Sequence, residues 1–272
     1  VKRSADELVD RLGDPLNRLY RYPAANLTLK LFGWLPLRPN HVTLIHTLVG
    51  VGASVLVAFG SGVELVVAFF LLELRMVLDC YDGVLARHKQ LSSPRGRALD
   101  ELGDGVAYLA FVSAMSIRAA REIDIPVALG LFVVMMVLGA LSAHGCDFFK
   151  RRLTGLLRGE PDAVAAELAR KKALVARGES RWLDRFGVWF DGWQVRLFEP
   201  SKKDAEPSAS HPVMWKLVLA VSLLSWDNAL ALLHVGVLTS RIFEACAIAI
   251  GYGLVLGTTT ILLSRRVLGG RK

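Results

Sequence analysis

Apolar residues gather into six long runs, roughly 41–60, 63–82, 101–119, 126–149, 213–236 and 241–264. A helix that crosses a bilayer needs ~20 largely apolar residues, because hydrocarbon offers no water to satisfy backbone N–H and C=O groups. The runs are of that order, so the pattern predicts an all-α, polytopic membrane protein with six transmembrane helices. The second and third runs are unusual, since charged residues interrupt each of them near one end. In the last run Gly253 and Gly257 form a GxxxG spacing that lets another helix approach closely. The first apolar run begins only after about 40 residues, which argues against a cleavable signal peptide.

Two segments outside these runs carry helical periodicity of a different kind. Residues 1–38 are too charged to span, yet Leu8, Leu12, Leu16 and Leu19 recur at helical spacing, with Pro15 and Pro23 as breaks. This predicts an N-terminal amphipathic helix lying on the membrane surface. In the insert 153–212, Trp182, Phe186, Trp189, Trp193 and Leu197 step by four, three, four and four, with Arg181, Asp184, Arg185 and Asp191 on other faces. Indole rings favour the headgroup boundary, so an interfacial helix is the first expectation and an acceptor-binding lid the second. The polar run 200–210 reads as a solvated linker. The expected organisation is a juxtamembrane segment 1–38, a catalytic core 39–152, a cytoplasmic insert 153–212, and a final pair of spans with a basic tail, 213–272.

Composition agrees: 53% of the residues are hydrophobic and the mean hydropathy is +0.41, too apolar for an ordinary soluble domain. A net charge of +8 could suggest a nucleic-acid binder, but the placement of the charge points elsewhere. The loops between runs one and two, three and four, and five and six hold only Arg118, Arg121 and Arg241 among their basic residues. The opposite side receives Lys2, Arg3, Arg11, Arg18, Arg21, Lys30 and Arg38, the loop with Arg87, Lys89, Arg95 and Arg97, the segment after Lys150-Arg151-Arg152, and the tail with Arg265, Arg266, Arg271 and Lys272. By the positive-inside rule both termini face the cytoplasm, and the basic excess meets anionic lipid rather than nucleic acid. The expected location is an inner, cytoplasmic membrane of bacterial type. Cys80, Cys146 and Cys246 have no metal-site spacing and read as packing residues.

The chemistry lies where the charges interrupt runs two and three. Asp79 and Asp82 are three apart, Asp100 and Asp104 four apart, and such spacings place each pair on one helix face. A short turn between the two helices makes them antiparallel neighbours, so all four carboxylates can converge. Clustered negative charge beside hydrocarbon is unfavourable without protons or cations. Oxygen-only ligands favour hard ions, magnesium or manganese, over zinc. Two such ions ~3.5–4 Å apart would suit phosphoryl transfer. Gly83 and Gly96 leave room for substrate against the backbone, and Arg87 can pair with phosphate.

The whole string, Asp79-x-x-Asp82-Gly83-x-x-Ala86-Arg87, eight residues, Gly96-x-x-x-Asp100-x-x-x-Asp104, resembles the signature of the CDP-alcohol phosphotransferases at every fixed position. Upstream, Pro39-Asn40-x-x-Thr43 is similar to the start of that family's first span. The resemblance covers roughly 36–150, the last two spans by topology only, and the 153–212 insert not at all. It implies that an acceptor hydroxyl attacks a CDP-linked donor and displaces CMP. It also implies that Asp79, Asp82 and Asp100 ligate metal, with Asp104 as general base and further ligand. Gly83, Ala86, Arg87 and Gly96 would then line the CDP site, with Asn40, Thr43 and Ser93 as additional candidates. The implied cofactor is a pair of Mg2+ ions, Mn2+ being an alternative, and the implied assembly is a homodimer among membrane lipids.

The acceptor is less legible. His144 and Asp147 are candidate contacts, and Lys150, Arg151 and Arg152 could bind an acceptor phosphate, although a basic cluster at a cytoplasmic helix end also serves as a topology anchor. His46 and His234 lie on apolar faces and read as satisfied packing residues. The expected donor is CDP-diacylglycerol and the acceptor a small polar alcohol. The competing readings are transfer of a choline- or ethanolamine-type head group to diacylglycerol, an aspartate-rich prenyltransferase, and a divalent-cation transporter.

Overall fold

The computed structural model describes residues 4–178, 182–198 and 211–268. Among them the chain is helical throughout, with no strand. Helix α1 (Ala5–Arg11) is followed by a π-helical turn, Asn17–Arg21, that runs into α2 (Tyr22–Phe32). Then come α3 (Pro39–Phe59), α4 (Val63–His88), α5 (Pro94–Ala119), α6 (Ile125–Arg158), α7 (Ala163–Ala176), α8 (Trp182–Phe198), α9 (Met214–Leu224), α10 (Trp226–Leu238) and α11 (Ile242–Leu268).

Helices α3, α6 and α11 are long and apolar enough to cross a membrane, and α9 with α10 makes a fourth if the pair is taken as one span. Helices α4 and α5 are 26 residues each, but Glu73, Arg75, Asp79 and Asp82 on one and Asp100, Glu101 and Asp104 on the other dilute their hydropathy. The expected fifth span is broken at Ser225, whose ψ of 128° leaves the helical region. Serine followed by an acidic residue is helix-start chemistry, and Asp227 stands in the first turn of α10. Helix α5 begins earlier than hydropathy suggests, at Pro94. The Ser93 hydroxyl accepts from the Gly96 N–H at 3.1 Å, and proline is preorganised for the first turn.

The chain forms two packed units. One comprises residues 1–14, 139–226 and 253–272; the other comprises 15–138 and 227–252. The first has a core of Leu8, Leu12, Phe148, Phe149, Leu153, Phe198, Leu217 and Val221. Phe198 packs so closely on Gly145 that a Cβ there would lie 3.1 Å from its ring. Leu8 and Leu12 are thus covered by protein, whereas Leu19, in the other unit, is 74% exposed. The four leucines spaced along 8–19 do not share one continuous helix. In α8, Trp189 and Trp193 are exposed, and Asp191 pairs with Lys171 of α7 at 2.6 Å. The expected linker 200–210 and the side chains of Trp182 and Phe186 lie outside the described residues.

The second unit holds α3 against both α4 and α5. Its helix ends are tied by cations. Arg118 of α5 donates to the carbonyls of Val57 and Gly60 at the end of α3, at 3.3 and 2.7 Å. Lys89, just past α4, donates to the carbonyls of Leu35 and Leu37 at 2.7 and 3.0 Å, holding the approach to α3. A buried polar network joins the π-helical turn to α4 and α10. Glu73 accepts from Tyr20, sits 3.6 Å from the fully buried Arg21, and lies 2.6 Å from His234 Nδ1. Arg21 also donates to Asn17 Oδ1 at 3.1 Å, and Asn17 to Asp227 Oδ2 at 3.1 Å. Burial, and then the bond to Glu73, push the Tyr20 phenol up to about 12. His234 is therefore a buried histidine whose ring is satisfied by Glu73.

Close contact of α3 with α5 depends on Gly103. A Cβ built there would lie 2.5 Å from Thr47 Oγ1, which is itself committed to the Thr43 carbonyl at 2.9 Å. Gly105, on the same helix, has no atom within 4 Å of such a Cβ. Alanine is favoured over glycine in a helix by roughly 1 kcal/mol. Gly105→Ala is therefore expected to hold or raise the thermal unfolding midpoint in detergent, and Gly103→Ala to lower it. Equal effects of the two substitutions would show that α5 does not pack on α3 at this point.

Candidate active site

Helices α3, α4 and α5 each contribute one polar face to a common region. From α4 come Arg75, Asp79 and Asp82, spaced four and three apart, followed by Gly83, Ala86 and Arg87. From α5 come Gly96, Asp100 and Asp104, and from α3 come Asn40, Thr43, His46 and Thr47. Helical spacing puts each set on one side of its helix.

One potential ligand atom from each of His46, Asp79, Asp100 and Asp104 lies within 4.8 Å of the other three. Asp82 stands beside this group rather than in it. Its Oδ2 accepts from the Thr43 hydroxyl at 2.6 Å and lies 3.3 Å from His46 Nε2; its side chain is 5% exposed. His46 Nε2 is also 3.6 Å from Asp100 Oδ1. The side chains of Asp100 and Asp104 remain more open, 36% and 44% exposed. Arg75, almost wholly buried, donates to Asp104 Oδ1 and reaches the Met76 sulfur at 2.9 Å.

The residues expected around CDP fall into two small groups. Gly83 and Arg87 are neighbours on the last turns of α4, where a Cβ on Gly83 would lie 3.5 Å from the guanidinium. Asn40, Ser93 and Gly96 are neighbours at the starts of α3 and α5. A Cβ on Gly96 would lie 3.2 Å from Ser93 Oγ and 3.5 Å from Asn40 Oδ1. Arg87, Ser93 and Asn40 are exposed, Gly83, Ala86 and Gly96 half-buried, and Thr43 buried. Ser93 has a capping role in addition to any contact with substrate. The acceptor candidates His144, Asp147, Lys150, Arg151 and Arg152 lie on α6 within the other unit, where Arg151 pairs with Asp147 at 2.7 Å and Arg152 with Asp162 at 3.5 Å.

Two participants were not evident from the sequence as site residues. His46 reads as a packing histidine in an apolar run, yet it is buried among carboxylates. Its signal was its spacing, since Asn40, Thr43, His46, Thr47 and Gly50 follow one face of α3. Arg75 lies one turn before Asp79, inside the span, where a lone arginine calls for a partner.

An acid cluster held by three packed helices, in a chain with several bilayer-length apolar helices, is the arrangement of an integral membrane protein with a polar centre. Residues 37–153, a segment that contains every residue of the cluster, match the profile of the CDP-alcohol phosphatidyltransferases. No curated protein matches the chain. The family's reaction is transfer of a substituted phosphate from a CDP-alcohol, a step of phospholipid synthesis, and its members generally use divalent metal.

The residues present fit such an ion. His46 Nε2 faces Asp82 and Asp100 at ion-pair distance, while its Nδ1 is buried without a hydrogen bond, and buried polar atoms in that state ordinarily have a further partner. Several carboxylates facing one guanidinium leave negative charge for a cation to balance. Arg75→Met removes that guanidinium. It is expected to destabilise the protein by about 3 kcal/mol in EDTA, as loss of one member of a buried pair does. Mg2+ or Mn2+ should restore the unfolding midpoint by a larger increment in the variant than in wild type. Identical midpoints with and without metal in both proteins would remove the cation from this account.

Proposed function

We propose that the chain transfers a substituted phosphate from CDP-diacylglycerol to the hydroxyl of a small polar alcohol, releasing CMP. The observation that carries this reading is the convergence of Asp79, Asp100 and Asp104 with His46 inside the family-matched segment.

In this reading Asp79, Asp82, Asp100 and Asp104 hold two Mg2+ ions, or Mn2+ in their place. The metal, when bound, balances pyrophosphate charge and eases departure of CMP. Gly83 and Gly96 leave the donor room against the backbone, while Ala86, Arg87, Asn40, Thr43 and Ser93 border it. The Arg87 guanidinium, exposed at the end of α4, pairs with donor phosphate. Asp104 takes the proton of the acceptor hydroxyl as its oxygen bonds to the phosphorus bearing the lipid alcohol. The bond from that phosphorus to the bridging oxygen breaks, and the electron pair leaves with CMP. Arg75, bonded to Asp104 Oδ1, leaves Oδ2 to face the acceptor.

We also propose six spans, with α4, α5 and the α9–α10 pair added to α3, α6 and α11, both termini and the site on the cytoplasmic side of a bacterial inner membrane, and a homodimeric assembly. Each of these helices or pairs has the length of a span. An interfacial N-terminal segment is supported on α2 and its end, where Leu27, Leu31, Phe32 and Trp34 are exposed.

Purified protein supplied with Mg2+, a CDP-linked donor and a labelled alcohol is expected to release CMP, with CDP-diacylglycerol preferred over CDP-linked head groups. Absence of CMP with every donor would sink the reading. Asp104→Asn should abolish turnover while donor binding stays measurable, and wild-type-like turnover in that variant would remove Asp104 from the mechanism.

A further inference from the structure

Helices α7 and α8 lie beyond the family-matched segment, and the proposed reaction gives them no part. In α8 the polarity is the reverse of that of a helix packed on a soluble core. Asp191, Gln194, Val195 and Phe198 fall on one side and point into the unit. Asp191 meets Lys171 of α7 at 2.6 Å, Gln194 is 2% exposed, and Val195 and Phe198 join the core around Phe148 and Phe149. Arg185, Trp189, Trp193, Arg196 and Leu197 fall on the other side and are exposed, Trp189 at 64%. A carboxylate and an amide are thus turned inward, while two indoles, a leucine and two guanidiniums are turned outward. A helix whose outward side met water would carry its polar groups there instead.

Depth along α6 indicates what meets that side. From Pro126 to Cys146 the chain has no Asp, Glu, Lys or Arg, a run of ~20 residues that matches the hydrocarbon thickness. Charge returns with Asp147, Lys150, Arg151 and Arg152. Phe198 packs at that boundary, its ring centroid 5.5 Å from that of Phe148 and 5.7 Å from that of Phe149, with its ring against Gly145. The C-terminal end of α8 is therefore pinned where α6 leaves the hydrocarbon. Indoles prefer that boundary, and an arginine there can lay its stem among apolar groups while its guanidinium meets the headgroups.

We infer that the insert is a membrane-surface anchor selective for anionic lipid. Trp189, Trp193 and Leu197 enter the headgroup boundary, and Arg185 and Arg196 face the negative surface. Each such cation is drawn to a net anionic leaflet more than to a zwitterionic one, and Asp191, neutralised by Lys171 on the inward side, does not oppose it. This fixes which side of α8 meets lipid, and which lipid, neither of which the spacing of the tryptophans decides. It goes beyond the proposed reaction and does not depend on it.

The test uses the full chain in nanodiscs of phosphatidylcholine, alone or mixed with phosphatidylglycerol. A nitroxide is attached at Leu197→Cys on the outward side and, in a second protein, at Lys172→Cys, exposed on α7; the native Cys80, Cys146 and Cys246 are buried. EPR power saturation compares contact with oxygen, which concentrates in lipid, and with a nickel chelate, which stays in water. With phosphatidylglycerol present, the label at 197 is expected to favour oxygen and the label at 172 nickel. With phosphatidylcholine alone, or in high salt, the label at 197 should shift toward nickel. Arg185→Gln combined with Arg196→Gln should give the same shift in the anionic discs. Quenching of wild-type tryptophan fluorescence by brominated phosphatidylglycerol, lessened when Trp189→Ser and Trp193→Ser are combined, reads the contact without a label. A label at 197 that favours nickel in the anionic discs would overturn the anchor, and equal immersion in the two lipids would overturn the selectivity. Spin–spin broadening between labels would put a second copy on this side, and immersion lost on adding Mg2+ and CMP would make α8 a substrate lid; either would overturn the proposal. None of these measurements requires turnover, so failure of the proposed reaction leaves them decisive.

Discussion

Negative charge gathered at the ends of apolar helices must be faced by positive charge, and this constraint organises the centre of the molecule. Asp79, Asp82, Asp100 and Asp104 arrive from two helices whose remaining surfaces are largely apolar. Without compensation their mutual repulsion and lost hydration would separate α4 from α5. Arg75 supplies a fixed cation bonded to Asp104, from the same helix that carries Asp79. That guanidinium leaves negative charge over, so the charge balance that packing requires and the divalent ion of the proposed reaction call on the same residues.

The scaffold around the cluster is built to hold helices close and at fixed depth. Gly103 lets α5 approach α3 until Thr47 fills the space a side chain would have taken, and at Gly50 an added Cβ would lie 3.1 Å from the Ala107 Cβ. Arg118 and Lys89 bind terminal or loop carbonyls, which secures the ends of α3 and its approach. The network of Tyr20, Arg21, Glu73 and His234 anchors the N-terminal turn and α10 to α4, two residues from Arg75. Buried polar groups of this kind are worth most when every member is satisfied, and they favour one arrangement of helices over slipped alternatives.

Within the cluster the carboxylates are not equivalent. Asp82 is buried and held by Thr43, while Asp100 and Asp104 are open on one side. An open carboxylate can exchange partners as substrate arrives, and a buried one keeps its neighbours oriented. The division agrees with the proposed reaction, in which the donor lies along Gly83, Arg87 and Gly96 and the acceptor meets Asp104.

The all-helical, membrane-embedded class and the grouping of aspartates on two helix faces were legible in the sequence, because both follow from local spacing: ~20 apolar residues make a span, and acids three or four apart share a face. The motif's resemblance to a family was legible too, and the profile match over 37–153 agrees with it. The sequence carried the start of α5 as well, in Ser93-Pro94. Hydropathy did not foresee the break at Ser225, because it sums side-chain apolarity and is blind to a backbone that leaves the helical region while its neighbours stay apolar. Nor could spacing decide which carboxylates converge, or that His46 and Arg75 join them. Those contacts link α3, α4 and α5 across tens of residues of chain, and only packing, with Gly50 and Gly103 setting how closely the helices meet, brings an imidazole from one helix among acids from two others.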